Sequence, residues 1–435
     1  MVAVSNRSEA AFRRPDTLQG ENPTMQKSRM GRLTAAALGL TLVAAACGSD
    51  EKEADTTTAP STAETTAVTT GETTAETTAA GGSTVTPTGV TCDGISLAFL
   101  GALSGDNGAL GTNMINGASI AIDEFNEANP DCQVAFDTQY DSQGDPAQAT
   151  PLADTIANDD SIVGLIGPGF SGETRATMPI FQEFNLPMIT PGATNATLSQ
   201  EGWTMFHRIL ANDDLQAPGV VALISDTVGG TKVGVIDDAS DYGAGLATAV
   251  KSGLGDLLVA EATIDPAAAD YSAAITAMED AGVDTVFYSG YYAEAAKLVS
   301  QMRDAGIEAT FVSGDGSLDI GFVDNAGAAS DGAYLTATGA PPDVNPEFAA
   351  KFNEKFGTNP ALYSPEAYDA AGVFLAGIAA GNVTREALAT FIDGYDAPGI
   401  TKDIKFDETG EPEGSAVFYT IVEGGALVSK GLIPA

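Results

Sequence analysis

From residue 95 onward, short apolar runs alternate with amphipathic stretches. The run 95–103 reads as a β-strand. In 111–125, Ile115, Ala118, Ile122 and Phe125 recur at the 3.6-residue spacing of a helix with one buried face. Asp145-Pro146 opens a second helix, a capping carboxylate followed by a residue with no N–H to leave unpaired. The runs 162–166, 187–190, 232–236, 284–288 and 310–313 also have strand character, and most lead into a glycine-rich turn and a helix. Each is apolar at nearly every position rather than at alternate ones, as strands covered on both faces are. The alternation predicts doubly wound α/β sheets. A faint internal echo, GALSGDNGALGTNMINGASIAIDEF against GVIDDASDYGAGLATAVKSGL, suggests two of them, each built as strand, polar turn and helix.

Length points the same way. The chain has 435 residues, and the part that reads as globular, 91–435, is longer than one hydrophobic core usually serves, so two lobes are expected. What precedes it is of another kind. Lys27, Arg29 and Arg32 stand before an uncharged apolar run, 33–46, too short to span a bilayer comfortably. A basic start, a short apolar stretch and a small-residue exit make residues 1–46 a signal-peptide region, with Met1, Met25 and Met30 all open as the start. The exit, Ala44-Ala45-Ala46-Cys47-Gly48-Ser49, resembles a bacterial lipobox, although Ala44 stands where Leu is usual. That resemblance implies lipidation of Cys47, and hence an extracytoplasmic protein held at the outer face of the cytoplasmic membrane. Residues 47–90 are dominated by Thr, Ala and Glu, with scarcely a large apolar side chain, and read as a disordered tether behind the anchor.

The formal net charge of −40 excludes nucleic acid as a partner, because phosphate binding needs clustered Lys and Arg. Cys92 and Cys132 each lie just before a strand-like run. In a parallel sheet two such strand starts sit side by side, within reach of a disulfide in an oxidising compartment; two free buried thiols are the alternative.

Reactive groups are scarce. The single histidine, His207, cannot build a His-rich metal site and is better suited to a structural role than to catalysis. Gly169-Phe170-Ser171-Gly172-Glu173 fails the nucleophile-elbow spacing at Glu173, and no phosphate-binding loop is present. No catalytic residue, metal or cofactor is expected. The chain instead offers four glycine and hydroxyl turns, at 167–174, 190–195, 289–295 and 313–319, each at the carboxyl end of a predicted strand, where open α/β sheets bind ligands. The first two suit a carboxylate: Ser171 and Thr194 offer hydroxyl and backbone donors, and Ser171 would begin a helix whose free amides favour an anion. The other two suit a cation, through the Asp315 carboxylate and the Tyr291 ring face. Taken singly, each could be an ordinary cap, turn or core residue.

LGALSG at 100–105, PMITPGAT at 187–194, DDASDYGAGLATAV at 237–250 and FYSGYY at 287–292, in this order, resemble the branched-chain amino-acid-binding proteins that serve ABC importers. The resemblance spans 95–425. It implies the type I periplasmic-binding-protein fold, two α/β lobes joined by three crossovers near Asn212, Thr338 and Lys405. The lobes would be 91–211 with 338–405, and 212–337 with 406–435. By the same resemblance, Ser171, Gly192 and Thr194 hold the ligand carboxylate and part of its ammonium. Asp315 pairs with the ammonium, Tyr242 and Tyr291 close over the ligand, and Phe170 and Tyr363 line the side-chain pocket. Leu110 stands where leucine-binding relatives often have tyrosine, and Asp315 is a methylene shorter than the Glu of some relatives. The implied partners are a small amino acid, importer permease subunits and the membrane. The same fold with an amide, urea, a γ-amino acid or an aromatic acid is one rival reading, and an anchored hydrolase using Ser171 or Asp315, or a surface adhesin, is a more distant one.

Overall fold

The computed structural model of the protein describes Cys92 and residues 94–433. The signal-peptide region, Cys47 and the Thr-rich tether therefore lie outside the described residues. Among the described residues no helix is long and apolar enough to cross a membrane.

One sheet is wholly parallel: β1 (Ser96–Gly101), β2 (Ala135–Asp141), β3 (Ile162–Ile166), β4 (Met188–Thr190) and β5 (Phe206–Arg208), in the order β2-β1-β3-β4-β5. The second contains β6 (Val233–Asp237), β7 (Leu258–Thr263), β8 (Thr285–Ser289), β9 (Thr310–Ser313) and β10 (Tyr334–Ala337), all parallel. After a small hairpin of β11 (Asp396–Pro398) and β12 (Asp403–Lys405), β13 (Phe418–Glu423) and β14 (Ala426–Leu432) extend that sheet antiparallel, giving β14-β13-β10-β9-β8-β6-β7. Helices cover both sheets. The chain changes sheet three times, after β5, after β10 and after β12.

The apolar runs became strands for the reason their pattern suggests: β1, β3, β4, β6 and β8 are buried along their whole length. The edge strands follow the pattern less closely. The strand-like run after Cys132, 133–136, marks only the start of β2, which runs from Ala135 to Asp141 as AFDTQYD, mostly half-buried at the sheet edge, and β7 alternates half-buried with exposed positions. At the other end of β1, the strand stops at Gly101 and not at 103, because the Asp141 carboxylate accepts the N–H of Leu103 (2.8 Å) and of Ser104 (3.2 Å) and turns the chain outward. The following helix is longer than its apolar stripe, Gly108–Ala128. Gly111 and Gly117 let it lie close to its neighbours: a Cβ there would stand 1.8 Å from the Ala102 carbonyl oxygen and 1.9 Å from that of Ser364.

Cys92 and Cys132 are joined in a disulfide, their Cα atoms 4.7 Å apart, beside the parallel β1–β2 pair in which Ser96 faces Ala135. His207, in β5, is buried with its ring edge against Phe406 and Nε2 3.1 Å from the Asp393 carboxylate. Because the disulfide closes a loop with a sequence separation of 40, the double variant Cys92→Ser, Cys132→Ser should lose about 4 kcal/mol in urea unfolding if chain entropy dominates.

Candidate functional site

The turn after β3 ends in Phe170, whose extended backbone leads into the Ser171–Glu183 helix. Glu173, three residues on, reaches back to accept the Phe170 N–H at 2.9 Å and the Ser142 hydroxyl. Wholly buried, this carboxyl is pushed up to about 7, burial outweighing its two donors. Beside the first turn, the Ser171 hydroxyl accepts the Asn195 N–H (3.1 Å), which ties the helix start to the loop after β4. Within that loop Thr190 Oγ1 donates to the Pro168 carbonyl (2.7 Å) and accepts from Ala193 N (3.0 Å). Gly192 is hemmed in: a Cβ would meet the Met114 methyl at 2.4 Å and the Gly169 carbonyl oxygen at 2.7 Å. Thr194 Oγ1 is buried and has no hydrogen-bond partner. A hydroxyl in that state is a donor held ready.

Asp315 dominates the opposite wall. It follows β9 in a single 3₁₀ turn and is completely buried. Four donors meet it: Gln216 Nε2 (2.9 Å) and Tyr242 Oη (2.8 Å) at Oδ1, Thr338 Oγ1 (3.0 Å) and Tyr363 Oη (2.6 Å) at Oδ2. Tyr242 opens the Asp241–Leu254 helix, capped by Ser240, and its hydroxyl also accepts the Gly316 N–H. Tyr363 precedes the Ser364–Ala379 helix, which lies against the first lobe's Gly108–Ala128 helix, so its bond to Asp315 crosses between lobes. A non-glycine residue at φ +70°, it sits in a backbone region that side chains rarely adopt and that often marks functional sites. Tyr291 touches Phe170 across the lobes, ring centroids 4.6 Å apart, and Tyr242 within its own lobe at 5.4 Å. Burial pushes the Tyr242, Tyr291 and Tyr363 phenols well above their ordinary range, which keeps them protonated donors.

The residues singled out from the turns thus lie on two facing walls. Ser171, Gly192 and Thr194 belong to one, Asp315, Tyr242 and Tyr291 to the other, and Phe170 and Tyr363 bridge them. Leu110 is buried in the same apolar cluster as Met114, Phe170 and Tyr363.

Sequence reading missed several groups. Gln216 in the Asp213–Ala222 helix, just past the first crossover, and Thr338 at the start of the second become neighbours of Asp315 only in three dimensions. Asp213, which looks like an ordinary first-turn acid after the Asn212 cap, is buried with both carboxylate oxygens unpartnered, and its N–H donates to the Thr194 carbonyl (2.9 Å). First burial and next the charge of Asp315 push its pKa well above the ordinary aspartate value. Arg208, also fully buried, is ion-paired with Glu411 (2.7 Å) and donates to the Ala193 (2.9 Å) and Asn195 (3.1 Å) carbonyls. Among the described residues no cluster of His, Cys, Asp and Glu could hold a metal ion.

Two α/β sheets, one parallel and one largely so, with a polar, aromatic-lined site where their strand-end turns meet describe a ligand-binding fold, and the family profile described as periplasmic binding protein matches residues 94–426. The chain belongs to the periplasmic binding protein family. It is similar to the leucine-specific-binding protein of Salmonella typhimurium, 31% identical over 252 residues that make up 57% of this chain and 68% of that one. Its fold matches the crystal structure of a leucine-binding protein from Thermotoga maritima with a TM-score of 0.72 at 25% identity, over 78% of this chain and 98% of that one. The same TM-score, 0.72, and identity, 25%, relate it to the substrate-binding protein of a branched-chain amino acid transporter from Streptococcus pneumoniae, solved with isoleucine, over 78% of this chain and 99% of that one.

Glu173 makes this periplasmic binding protein pH-sensitive in a defined direction. Its folded-state value of about 7 exceeds the ordinary 4.5, so the unfolded chain ionises first and this contribution to stability falls as pH rises from about 4.5 to about 7. In Glu173→Gln, about 3 kcal/mol of that fall should be missing from denaturation curves recorded across this range.

Proposed function

We propose that this protein is the extracytoplasmic solute-binding component of an ABC importer and captures a branched-chain aliphatic amino acid, leucine, isoleucine or valine, between its lobes. The observation that carries this reading is the pairing of opposite chemistries in one buried place. One wall presents the Ser171–Glu183 helix start, the Ser171 hydroxyl and the unpartnered Thr194 hydroxyl, which suit a carboxylate. The other presents Asp315 behind the rings of Tyr242 and Tyr291, which suit an ammonium. Phe170, Leu110, Met114 and Tyr363 leave an apolar surround for an aliphatic side chain. The membership in a family whose similar members include leucine-binding proteins supports the same ligand class.

A zwitterion held by both walls favours the arrangement in which the lobes are together, since only there are its two ends satisfied at once. The permease then reads the closed form, and the ligand leaves chemically unchanged. Lipidation at Cys47 holds the protein at the outer face of the cytoplasmic membrane. No reaction is assigned to it.

The 91–435 fragment should melt at higher temperature with leucine, isoleucine or valine and not with sugars. The three amino acids should bind within about 1 to 3 kcal/mol of one another, because a methylene in an apolar pocket discriminates no better than that. Asp315→Asn, which keeps the shape and removes the charge, should weaken leucine binding by about 1.5 to 3 kcal/mol in calorimetry, and an affinity equal to the parent's would remove Asp315 from the ammonium site. Cys47→Ser should shift the protein from the membrane to the soluble fraction of fractionated cells.

A further inference from the structure

A carboxylate offers about four acceptor positions. At Asp315 each is already met by a protein donor, two at Oδ1 and two at Oδ2. The neighbouring acid is in the opposite condition. Asp213 is 3% exposed, and neither of its oxygens meets a donor at full hydrogen-bond geometry; the nearby Thr194 hydroxyl favours its ionised form, but burial and the charge of Asp315 outweigh it. It stands at the first turn of the Asp213–Ala222 helix, with its N–H on the Thr194 carbonyl. Gln216, three residues further on the same helix face, donates to Asp315 Oδ1 at 2.9 Å. Asp213 thus lies between the unpartnered Thr194 hydroxyl and the saturated Asp315 carboxylate, which are the anion-seeking and cation-seeking parts of the site.

The geometry points to Asp213 as the group that directly accepts the ligand's ammonium, holding a proton in the free site and releasing it when the ammonium arrives. This deepens the reading of the site as one for an amino acid and rests on it. The charges facing Asp213 from every side explain why a proton belongs there. Asp315 faces it from the turn after β9 and Asp214 from its own helix, both repelling a second negative charge. Arg208, from β5, attracts one but is already engaged by Glu411. The Tyr242 and Tyr363 phenols point their protons at Asp315 and supply none to Asp213. An uncompensated buried carboxylate beside another carboxylate is costly, and protonation removes the cost. The exchange balances: Asp213 carboxylic acid and ligand ammonium become an Asp213 carboxylate paired with the ammonium, and one proton passes to solvent. Asp315, with its donors in place, then acts as the fixed charge behind the pair.

The test is calorimetry of L-leucine binding in buffers of different ionisation enthalpy, with the chain and its Asp213→Asn variant. The parent should release close to one proton per leucine at neutral pH. Asp213→Asn should release none and bind about 10- to 100-fold more weakly, a loss converted from one charge-assisted hydrogen bond. A parent that releases no proton, or a variant that releases as many as the parent, overturns the proposal. A ligand-free arm separates its failure from that of the amino-acid reading. As pH rises above the ordinary aspartate value of 3.8, the melting temperature of Asp213→Asn should rise relative to the parent's, since the variant lacks this one acid, whose proton the unfolded chain gives up first. Parallel melting curves would sink the proton-holding role even if leucine binds. If neither leucine, isoleucine nor valine binds, the amino-acid reading fails and takes the ammonium contact with it, whatever the melting curves show.

Discussion

A carboxylate removed from water must be met by hydrogen-bond donors or be neutralised, and the completely buried Asp315 is where this constraint organises the protein. Its four donors come from four places: the Asp213–Ala222 helix, the Asp241–Leu254 helix, the start of the second crossover and the turn before the Ser364–Ala379 helix. The first three are in or border the second lobe, and the fourth belongs to the first. One buried charge therefore draws both lobes and a crossover to a single point. The left-handed backbone of Tyr363 makes sense in that light, since its hydroxyl is the donor that arrives from the far lobe.

The same constraint recurs where the crossovers meet the first lobe. On one face of the Ser364–Ala379 helix, Glu366 accepts the Ala340 N–H at 2.7 Å, and Asp369 accepts the N–H groups of Ile400 (2.7 Å) and Thr401 (2.9 Å). Lys402 lies near both acids and donates to Ser415 at 2.6 Å. Burial pushes Glu366 up to about 7 and Asp369 up to about 6, and pulls Lys402 down to about 8. Gly339 and Gly399 are the positions that let backbone come this close, for a Cβ at either would stand 2.4 Å and 2.5 Å from the respective carboxylate oxygen. Acids on a rigid helix thus fasten the crossover segments at their first-lobe ends, which leaves relative motion of the lobes to the residues beyond these anchors.

Buried polar groups in this protein do not simply add stability. Glu173 and Asp213 sit at the two sides of the site, both shifted by burial toward the protonated form. At Glu173 the cost is tolerated where it shapes a binding surface, since its carboxyl fixes the helix start that carries Ser171; at Asp213 only the backbone N–H holds the loop that carries Thr194, and the carboxyl is left facing the site.

Apolar runs dictated β1, β3, β4, β6, β8 and β9 to within two residues at either end, and glycine-hydroxyl turns after them marked Ser171, Gly192, Thr194, Tyr291 and Asp315. Those features are legible along the chain because they depend on neighbours a few residues apart: burial on both strand faces, helix starts, tight turns. The edge strands β2 and β7 were less legible, since exposure on one side lets polar residues in and breaks the run. Which acid has free oxygens, which is saturated, and that Gln216, Thr338 and Tyr363 all reach Asp315 could not be read from spacing at all. Sequence separations of 23 to 99 residues lie between those partners, and only the packing of two lobes and their crossovers brings them within hydrogen-bond distance.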